Sequence, residues 1–234
     1  MDILLFFFLG ASIASFLGLV VERFPEKSII SPASHCDSCG KQLEIRDLIP
    51  VISQLLNQSR CRFCQTKIPF WYGFLEFSYG VIAVLYYYEF LSLEQVFILI
   101  FSTVLSLYDI KHQEFPLLVW LFPSLLLLFF TPLNALAMIL LCLGIIAELI
   151  DLNIGSGDFF YLASLSLLLD FQTILWIVEL GSLSGIIYCL FQKNKRIPFV
   201  PFLFLGYLIL IFLSMLNFLV KYALFLDFFC YNRH

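Results

Sequence analysis

The chain has 234 residues, of which 62% are hydrophobic, and phenylalanine alone occurs 28 times. Soluble domains contain about 45–50% apolar residues. This composition, with a mean hydropathy of +0.98, therefore excludes a water-soluble globular protein and predicts helices that cross a membrane several times. The net charge of −4 excludes little, because the distribution of charge along a membrane protein is more informative than its sum.

Apolar runs of about 20 residues, the length that crosses the hydrocarbon core, recur along the chain. The first run has no basic segment before it and no small-residue cleavage site after it, so we expect an uncleaved span. The predicted domains are the first transmembrane helix (residues 1–22), a cytoplasmic loop (23–69) and a seven-helix membrane domain (70–234). We expect an all-α, polytopic membrane bundle with about eight spans, at residues 3–22, 70–91, 93–110, 115–131, 133–150, 156–170, 172–191 and 198–220.

The polar stretch between the first two spans contains seven of the 13 Lys and Arg residues. Because basic loops stay in the cytoplasm, we place this loop there and expect a multi-pass protein of the plasma membrane. The parity of eight spans then brings Asp109 and Asp158 to the same cytoplasmic face. The seven basic residues are Arg23, Lys27, Lys41, Arg46, Arg60, Arg62 and Lys67.

Two C-x-x-C pairs lie in this loop, Cys36 with Cys39 and Cys61 with Cys64, with 21 residues between the pairs. Thiolates at this spacing can hold one tetrahedral ion, so we predict a structural zinc site that supplies folding energy to a small loop. The alternatives are two disulfides, which a reducing cytosol disfavours, and a redox C-x-x-C. The remaining cysteines are expected to be small buried hydrophobes: Cys142, Cys189 and Cys230.

Asp109 and Asp158 lie at the limits of apolar runs, and Asp158 closes the tetrad G-S-G-D at residues 155–158. An ionisable side chain at membrane depth is costly, which favours a functional role. Two carboxylates that share one proton can activate a water and polarise a carbonyl, which is the chemistry of an aspartyl protease. We expect Gly155 and Gly157 to allow an irregular backbone and close approach at the start of the sixth span, where freed backbone amides could bind an extended substrate.

Other interpretations of the acidic residues stay open. Asp and Gly are common at helix ends, so Asp109 and Asp158 could be helix caps. Asp151, seven residues before Asp158, is an alternative partner for Asp109. Glu76 and Glu179 fall inside apolar runs, and we expect both to be hydrogen-bonded in the bundle interior rather than catalytic.

The motifs, taken together, resemble those of the type IV prepilin peptidase family, the bacterial leader peptidases for pilins and pseudopilins. The similar elements include the S-P-A-S-H-C entry to the cysteine loop, D-L-I-P, C-R-F-C, both aspartate motifs and I-P-F-V-P-F-L, and they occur in the family's order and spacing. The segments that carry the resemblance are residues 14–18, 23–25, 31–36, 47–50, 61–64, 76, 109–116, 155–158 and 197–203.

The resemblance implies an eight-span membrane endopeptidase that removes short basic leaders from prepilins at the cytoplasmic face, with Asp109 and Asp158 as the catalytic residues. It implies that prepilins or pseudopilins and the lipid bilayer are the partners, and we expect no direct contact with nucleic acid. The short form with G-S-G-D looks closest to competence-type enzymes of Gram-positive bacteria, which process pseudopilins of a DNA-uptake pilus.

Many family members also methylate the new N-terminus with S-adenosylmethionine, so the resemblance extends the expected activities to methyl transfer. The chain departs from the family's motifs at four positions. These departures leave the aspartate pair intact and leave methyl transfer open. The departing residues are Ala14, Gly18, Leu117 and Phe160.

Three other classes of protein could show some of these features. A presenilin-like intramembrane protease would have its aspartates deep in the spans and no metal-binding loop. A transporter with a zinc-stabilised cytosolic loop would use the buried acids for ion coupling and would show an inverted internal repeat. A membrane thiol oxidoreductase would need its C-x-x-C motifs on an oxidising side of the membrane.

Overall fold

The computed structural model describes residues 1–113, 115–150, 155–191 and 197–231, and side chains up to residue 217. Within these ranges the chain forms helices joined by loops and turns, with no strand, so the predicted all-α class is confirmed. The elements are α1 (Asp2–Arg23), a 3₁₀ helix (Ile45–Asp47), α2 (Ile52–Leu56), α3 (Trp71–Tyr87), α4 (Leu93–His112), α5 (Leu117–Phe130), α6 (Ala135–Ile150), α7 (Ser156–Leu165), α8 (Phe171–Phe191) and α9 (Val200–Tyr231).

Four of the described helices are long and apolar enough to cross a membrane: α1, α4, α8 and the Val200–Asn217 part of α9. The apolar helices α5 and α6 are shorter, and α7 has only 10 residues. The chain is therefore a multi-pass membrane protein, while the count of eight spans stays a prediction.

The chain divides into two compact units, Met1–Phe97 and Ile98–His234. In the first unit, α3 packs along α1 in the antiparallel sense, and small residues allow the two backbones to come close. A Cβ on Gly10 would lie 2.2 Å from the Tyr79 carbonyl oxygen, and a Cβ on Gly80 would lie 2.5 Å from the Phe7 ring. At the other end, the Tyr72 hydroxyl donates a 2.7 Å hydrogen bond to Glu22.

In the second unit, α7 packs against α5 and α6, and α8 packs against α9. Trp120 of α5 joins α5 to α7, because its indole N–H lies 2.9 Å from the Phe160 carbonyl oxygen and 2.8 Å from Ser164 Oγ. The rings of Trp120 and Phe160 also pack at 5.0 Å between centroids. The same Phe160 ring fills the space over Gly144 of α6. These contacts fix the helix that carries Asp158.

Candidate active site and four-cysteine cluster

Asp109 lies in the last turn of α4 and meets the beginning of α9. The backbone N–H of Val200, the first residue of α9, donates a 3.1 Å hydrogen bond to Asp109 Oδ2. The first amides of a helix have no partner within the helix, and the positive end of the helix dipole lies there. The start of α9 therefore holds one carboxylate oxygen of Asp109 in place.

Asp158 lies in the first turn of α7, where its backbone N–H donates to the Gly155 carbonyl oxygen at 3.2 Å. Gly155 has ordinary extended dihedrals, φ −62° and ψ 111°, and Gly157 does not adopt a positive φ either. The expected irregular backbone is therefore not observed at the two glycines. The expected close approach is observed: a Cβ on Gly155 would lie 2.8 Å from Asp158 Oδ2, and one on Gly157 would lie 2.4 Å from the Phe115 ring.

A buried hydrogen bond connects the two helices that carry the aspartates. The Tyr161 hydroxyl donates to Ser102 Oγ at 2.7 Å, and both residues are fully buried. Tyr161 follows Asp158 by three residues on α7, and Ser102 precedes Asp109 by seven residues on α4. Helical residues three or seven positions apart share a face, so this bond sets the register between the two carboxylates.

Asp109 and Asp158 belong to the same compact unit, and the Tyr161–Ser102 hydrogen bond joins the helices that carry them. Both side chains are half-buried, so each keeps part of its surface accessible. Their environments differ, since the α9 amide bonds to Asp109. Two carboxylates in unequal surroundings can divide the roles of acid and base in a hydrolysis.

Ser106, one turn before Asp109 on α4, has an unusual hydroxyl. The residue is 5% exposed, and its buried Oγ has no hydrogen-bond partner among the described residues. Helical serines usually donate to the carbonyl four residues earlier, as Ser124 does to Trp120 at 2.7 Å. No local sequence pattern indicated that this hydroxyl is buried, because its burial results from the packing around α4.

The other acidic candidates are placed differently. Asp151 lies outside the described residues, so its role as an alternative partner stays a prediction. Glu148 accepts a 2.5 Å hydrogen bond from Ser156 at the start of α7. Glu76 is 8% exposed and hydrogen-bonded, as predicted. Glu179 is exposed on α8, so the prediction that it faces the interior is wrong. The side of α8 that packs against α9 carries Gly181 and Gly185 instead.

The four cysteines of the loop come together as two matching turns. In the first, the Cys36 N–H donates to the Lys41 carbonyl oxygen at 2.9 Å and the Gly40 N–H donates to the Cys36 carbonyl oxygen at 2.8 Å. In the second, Cys61 bonds to Thr66 and Gln65 bonds to Cys61, each at 2.9 Å, in the same pattern. Gly40 and Gln65 occupy equivalent positions with positive φ of 68° and 59°. The loop therefore contains the same cysteine turn twice.

The cluster has the dimensions of a metal site. The four sulfur atoms of Cys36, Cys39, Cys61 and Cys64 lie within 4.8 Å of one another, and the Cys36 and Cys64 sulfurs are 3.7 Å apart. A tetrahedral zinc ion with bonds of about 2.3 Å needs sulfurs roughly 3.8 Å apart. The cluster can hold a metal ion, and its dimensions and ligands fit zinc.

Two of the thiols have strongly different acidities. Hydrogen bonds with the Thr66 side chain and backbone lower the pKa of the Cys64 thiol to about 6. The pKa of Cys39 is raised to about 11: a hydrogen bond to the Lys41 backbone lowers it, but desolvation and the neighbouring thiols outweigh that bond.

The three cysteines outside the loop were predicted to be buried. Cys142 and Cys189 are exposed, so the prediction is wrong for both. The Cys230 side chain lies outside the described residues.

Comparison with known proteins confirms the resemblance to prepilin peptidases. Residues 8–90 match the bacterial peptidase A24 N-terminal domain family. The chain is 27% identical over 247 residues to a prepilin leader peptidase/N-methyltransferase of Bacillus subtilis (strain 168), which covers 93% of this chain and 98% of that protein.

Two further relatives match over shorter regions. A prepilin leader peptidase/N-methyltransferase of Myxococcus xanthus (strain DK1622) is 38% identical over 77 residues, which are 32% of this chain and 23% of that protein. A type 4 prepilin-like proteins leader peptide-processing enzyme of Escherichia coli O78:H11 is 35% identical over 86 residues, 29% of this chain and 32% of that protein. No solved structure matches significantly.

Proposed function

We propose that this chain, which resembles the type IV prepilin peptidases, is a membrane aspartic endopeptidase that cleaves the leader peptides of prepilins or pseudopilins. Asp109 and Asp158 are the catalytic pair in this proposal. The observation that carries it is the placement of both aspartates at helix ends of one unit, on helices joined by the Tyr161–Ser102 hydrogen bond, in a chain similar over 93% of its length to a prepilin leader peptidase.

The unequal surroundings of the two carboxylates suggest their roles. Asp109, which accepts a hydrogen bond from the backbone N–H of Val200 at the start of α9, acts as the general base and takes a proton from water. The water oxygen then attacks the scissile carbonyl, while protonated Asp158 donates a hydrogen bond and then its proton to the carbonyl oxygen. Asp109 passes its proton to the leaving amine when the C–N bond breaks, and Asp158 recovers its proton from the collapsing diol.

The proposed site is at the cytoplasmic face of the membrane. The concentration of Lys and Arg in the cysteine loop supports this orientation. Asp109 lies three residues before the end of α4, and Asp158 is the third residue of α7. Aspartates at helix ends favour cleavage at the membrane interface over cleavage deep in the bilayer. A basic leader retained in the cytoplasm would place its cleavage site at that interface.

The loop supports two accessory proposals. Zinc bound by Cys36, Cys39, Cys61 and Cys64 would stabilise the loop, since four thiolates leave no position for a reacting water. We also propose that the new N-terminus is methylated with S-adenosylmethionine, because the Bacillus subtilis relative is named as an N-methyltransferase. Pseudopilins of a DNA-uptake pilus are the narrower substrate class that we expect.

Co-expression with a pseudopilin substrate tests the activity. We expect a shortened product whose first residue, by mass spectrometry, follows the basic leader and is one methyl group heavier than the unmodified residue. A pseudopilin that keeps its leader, with the enzyme present in the membrane, would contradict the peptidase proposal. A shortened product without the added methyl group would contradict methyl transfer alone.

A further inference from the structure

We propose that residues 48–56 form a re-entrant segment, a part of the cysteine loop that enters the bilayer beside α1 and α3 and exposes its leucines to lipid. This proposal concerns the first unit and is independent of the proposed peptidase activity. It begins from an anchor: the Val51 N–H donates a 2.7 Å hydrogen bond to Oε2 of Glu76, a buried residue in the second turn of α3.

The depth of this anchor follows from the packing of α3 on α1, a helix able to cross the membrane. The Tyr72 ring lies against Gly18 of α1, and Glu76 is one helical turn further along α3, away from the α1 end at Arg23. Gly18 is five residues from Arg23, which is about 7 Å along a helix. The Val51 amide is therefore attached more than about 7 Å inside the end of α1.

Most of the backbone amides of the segment are hydrogen-bonded within the protein. In the hydrocarbon region every amide needs a partner within the protein. The Ile52 N–H donates to the Pro50 carbonyl oxygen at 2.6 Å and closes a three-residue turn around Val51, whose φ is 64°. Ser53 and Leu55 donate to carbonyls four residues earlier, at 2.9 and 3.1 Å. Pro50 itself has no N–H to satisfy.

The side chains are arranged with the polar group inward and the apolar groups outward. Gln54 turns toward α3, where a Cβ on Gly73 would lie 2.2 Å from its Oε1. Leu55 and Leu56 are 71% and 76% exposed. This is the reverse of a water-soluble loop and suits a lipid-facing surface. Three more side chains of the segment are exposed and apolar: Leu48, Ile49 and Ile52.

The residues around the segment also fit a lipid environment. Phe70, Phe74 and Phe77 are exposed along one face of α3, beside the Gly73 position that contacts Gln54, so the apolar surface continues from the segment onto the helix. Arg46 and Arg60 flank the segment on either side in the sequence. Basic side chains at the ends of an inserted stretch reach back to the headgroups.

A fluorescent amino acid incorporated genetically at residue 56 tests the proposal in the full-length protein in vesicles. We expect emission from position 56 to be largely lost in vesicles of brominated phosphatidylcholine and to persist with iodide in the aqueous phase. The control is the same probe at Ile30, a 91% exposed residue of the same loop, which should be quenched by iodide and not by the brominated lipid. If the Leu56 variant does not fold, the probe is placed at Leu55.

Two results would overturn the proposal. Quenching of position 56 by iodide to the same extent as position 30 would place the segment in water. Protection of position 56 from both quenchers would show that another part of the protein covers it. The measurement does not depend on peptide cleavage, so its failure is distinguishable from failure of the proposed function.

Discussion

The Tyr161 hydroxyl and Ser102 form a buried hydrogen bond of 2.7 Å between α7 and α4, the helices that carry Asp158 and Asp109. Neither residue is exposed to solvent. A buried polar pair in an apolar bundle has few alternative partners, so it fixes the rotation and height of one helix against the other. We therefore expect this pair to determine the spacing of the carboxylates.

The first prediction concerns this pair. Tyr161→Phe and Ser102→Ala should each lower stability by about 1 kcal/mol, since each leaves the other hydroxyl without its partner. The double variant should lose less stability than the two single variants together, because it leaves no hydroxyl without its partner. Thermal unfolding in detergent measures these effects, with Tyr188→Phe on the exposed side of α8 as the control. Additive losses would show that the hydrogen bond contributes nothing.

Ser106→Ala should behave in the opposite way to Ser102→Ala, one turn away on the same helix. Removing a buried hydroxyl that has no partner eliminates a desolvation cost, so the free energy of unfolding should stay the same or rise by up to about 1 kcal/mol. The same unfolding measurement compares the two variants directly. A loss as large as that of Ser102→Ala would mean that Ser106 has a stabilising partner.

Gly155→Ala tests the close approach between residue 155 and Asp158. The new Cβ would lie 2.8 Å from Asp158 Oδ2, and the carboxylate can move away at little cost in stability. Displacement of a reacting group by about 1 Å can lower the rate about 100-fold, so kcat should fall while the melting temperature changes little. In Gly185→Ala the nearest contact is an ordinary 3.6 Å, and this control should keep its activity. Equal rates for both variants would contradict the interpretation.

The cysteine cluster predicts a difference in thiol reactivity after metal removal. The thiolate is the reactive form, and at pH 7 Cys64, with a pKa of about 6, is mostly ionised while Cys39, with a pKa of about 11, is not. Iodoacetamide should therefore label Cys64 faster than Cys39 in chelator-treated protein whose loop keeps its fold. The rate at Cys39 should rise with pH, while that at Cys64 should level off above pH 7. Peptide mass spectrometry measures both sites.

Zinc should protect both sites, because the metal-bound sulfurs are not free to react. Labelling at equal rates with and without chelator would contradict a shared metal site. Preferential labelling of Cys39 in the metal-free protein would contradict the assigned acidities.

The sequence predicted the helical class and the cysteine cluster because both depend on local patterns. The apolar runs indicated α1 and α4 to within about two residues, and the spacing of Cys36, Cys39, Cys61 and Cys64 indicated a common site. The role of Val200 was not predicted, although its motif was recognised, since the contact joins residues 91 positions apart. Tyr161 and Ser102 were missed for the same reason: no periodicity within one helix specifies its register against another.

The predictions that failed depended on burial. Hydrophobicity indicated that Glu179 and Cys142 lie in apolar helices, but it did not indicate which face each occupies. In a membrane protein both faces of a helix can be apolar, so the contrast that distinguishes inside from outside in a soluble helix is weak.

The most direct test of the aspartate pair is the rate of leader cleavage by purified Asp109→Asn and Asp158→Asn. Each change keeps the size of the side chain and removes its acid–base function, which contributes about 10²–10⁴-fold to a rate. Asp170→Asn, in the loop before α8 where Asp170 bonds to Thr173, is the matched control. We predict that both site variants lose cleavage by at least about 100-fold at unchanged melting temperature while Asp170→Asn cleaves normally. Cleavage at the wild-type rate by either site variant would contradict the account.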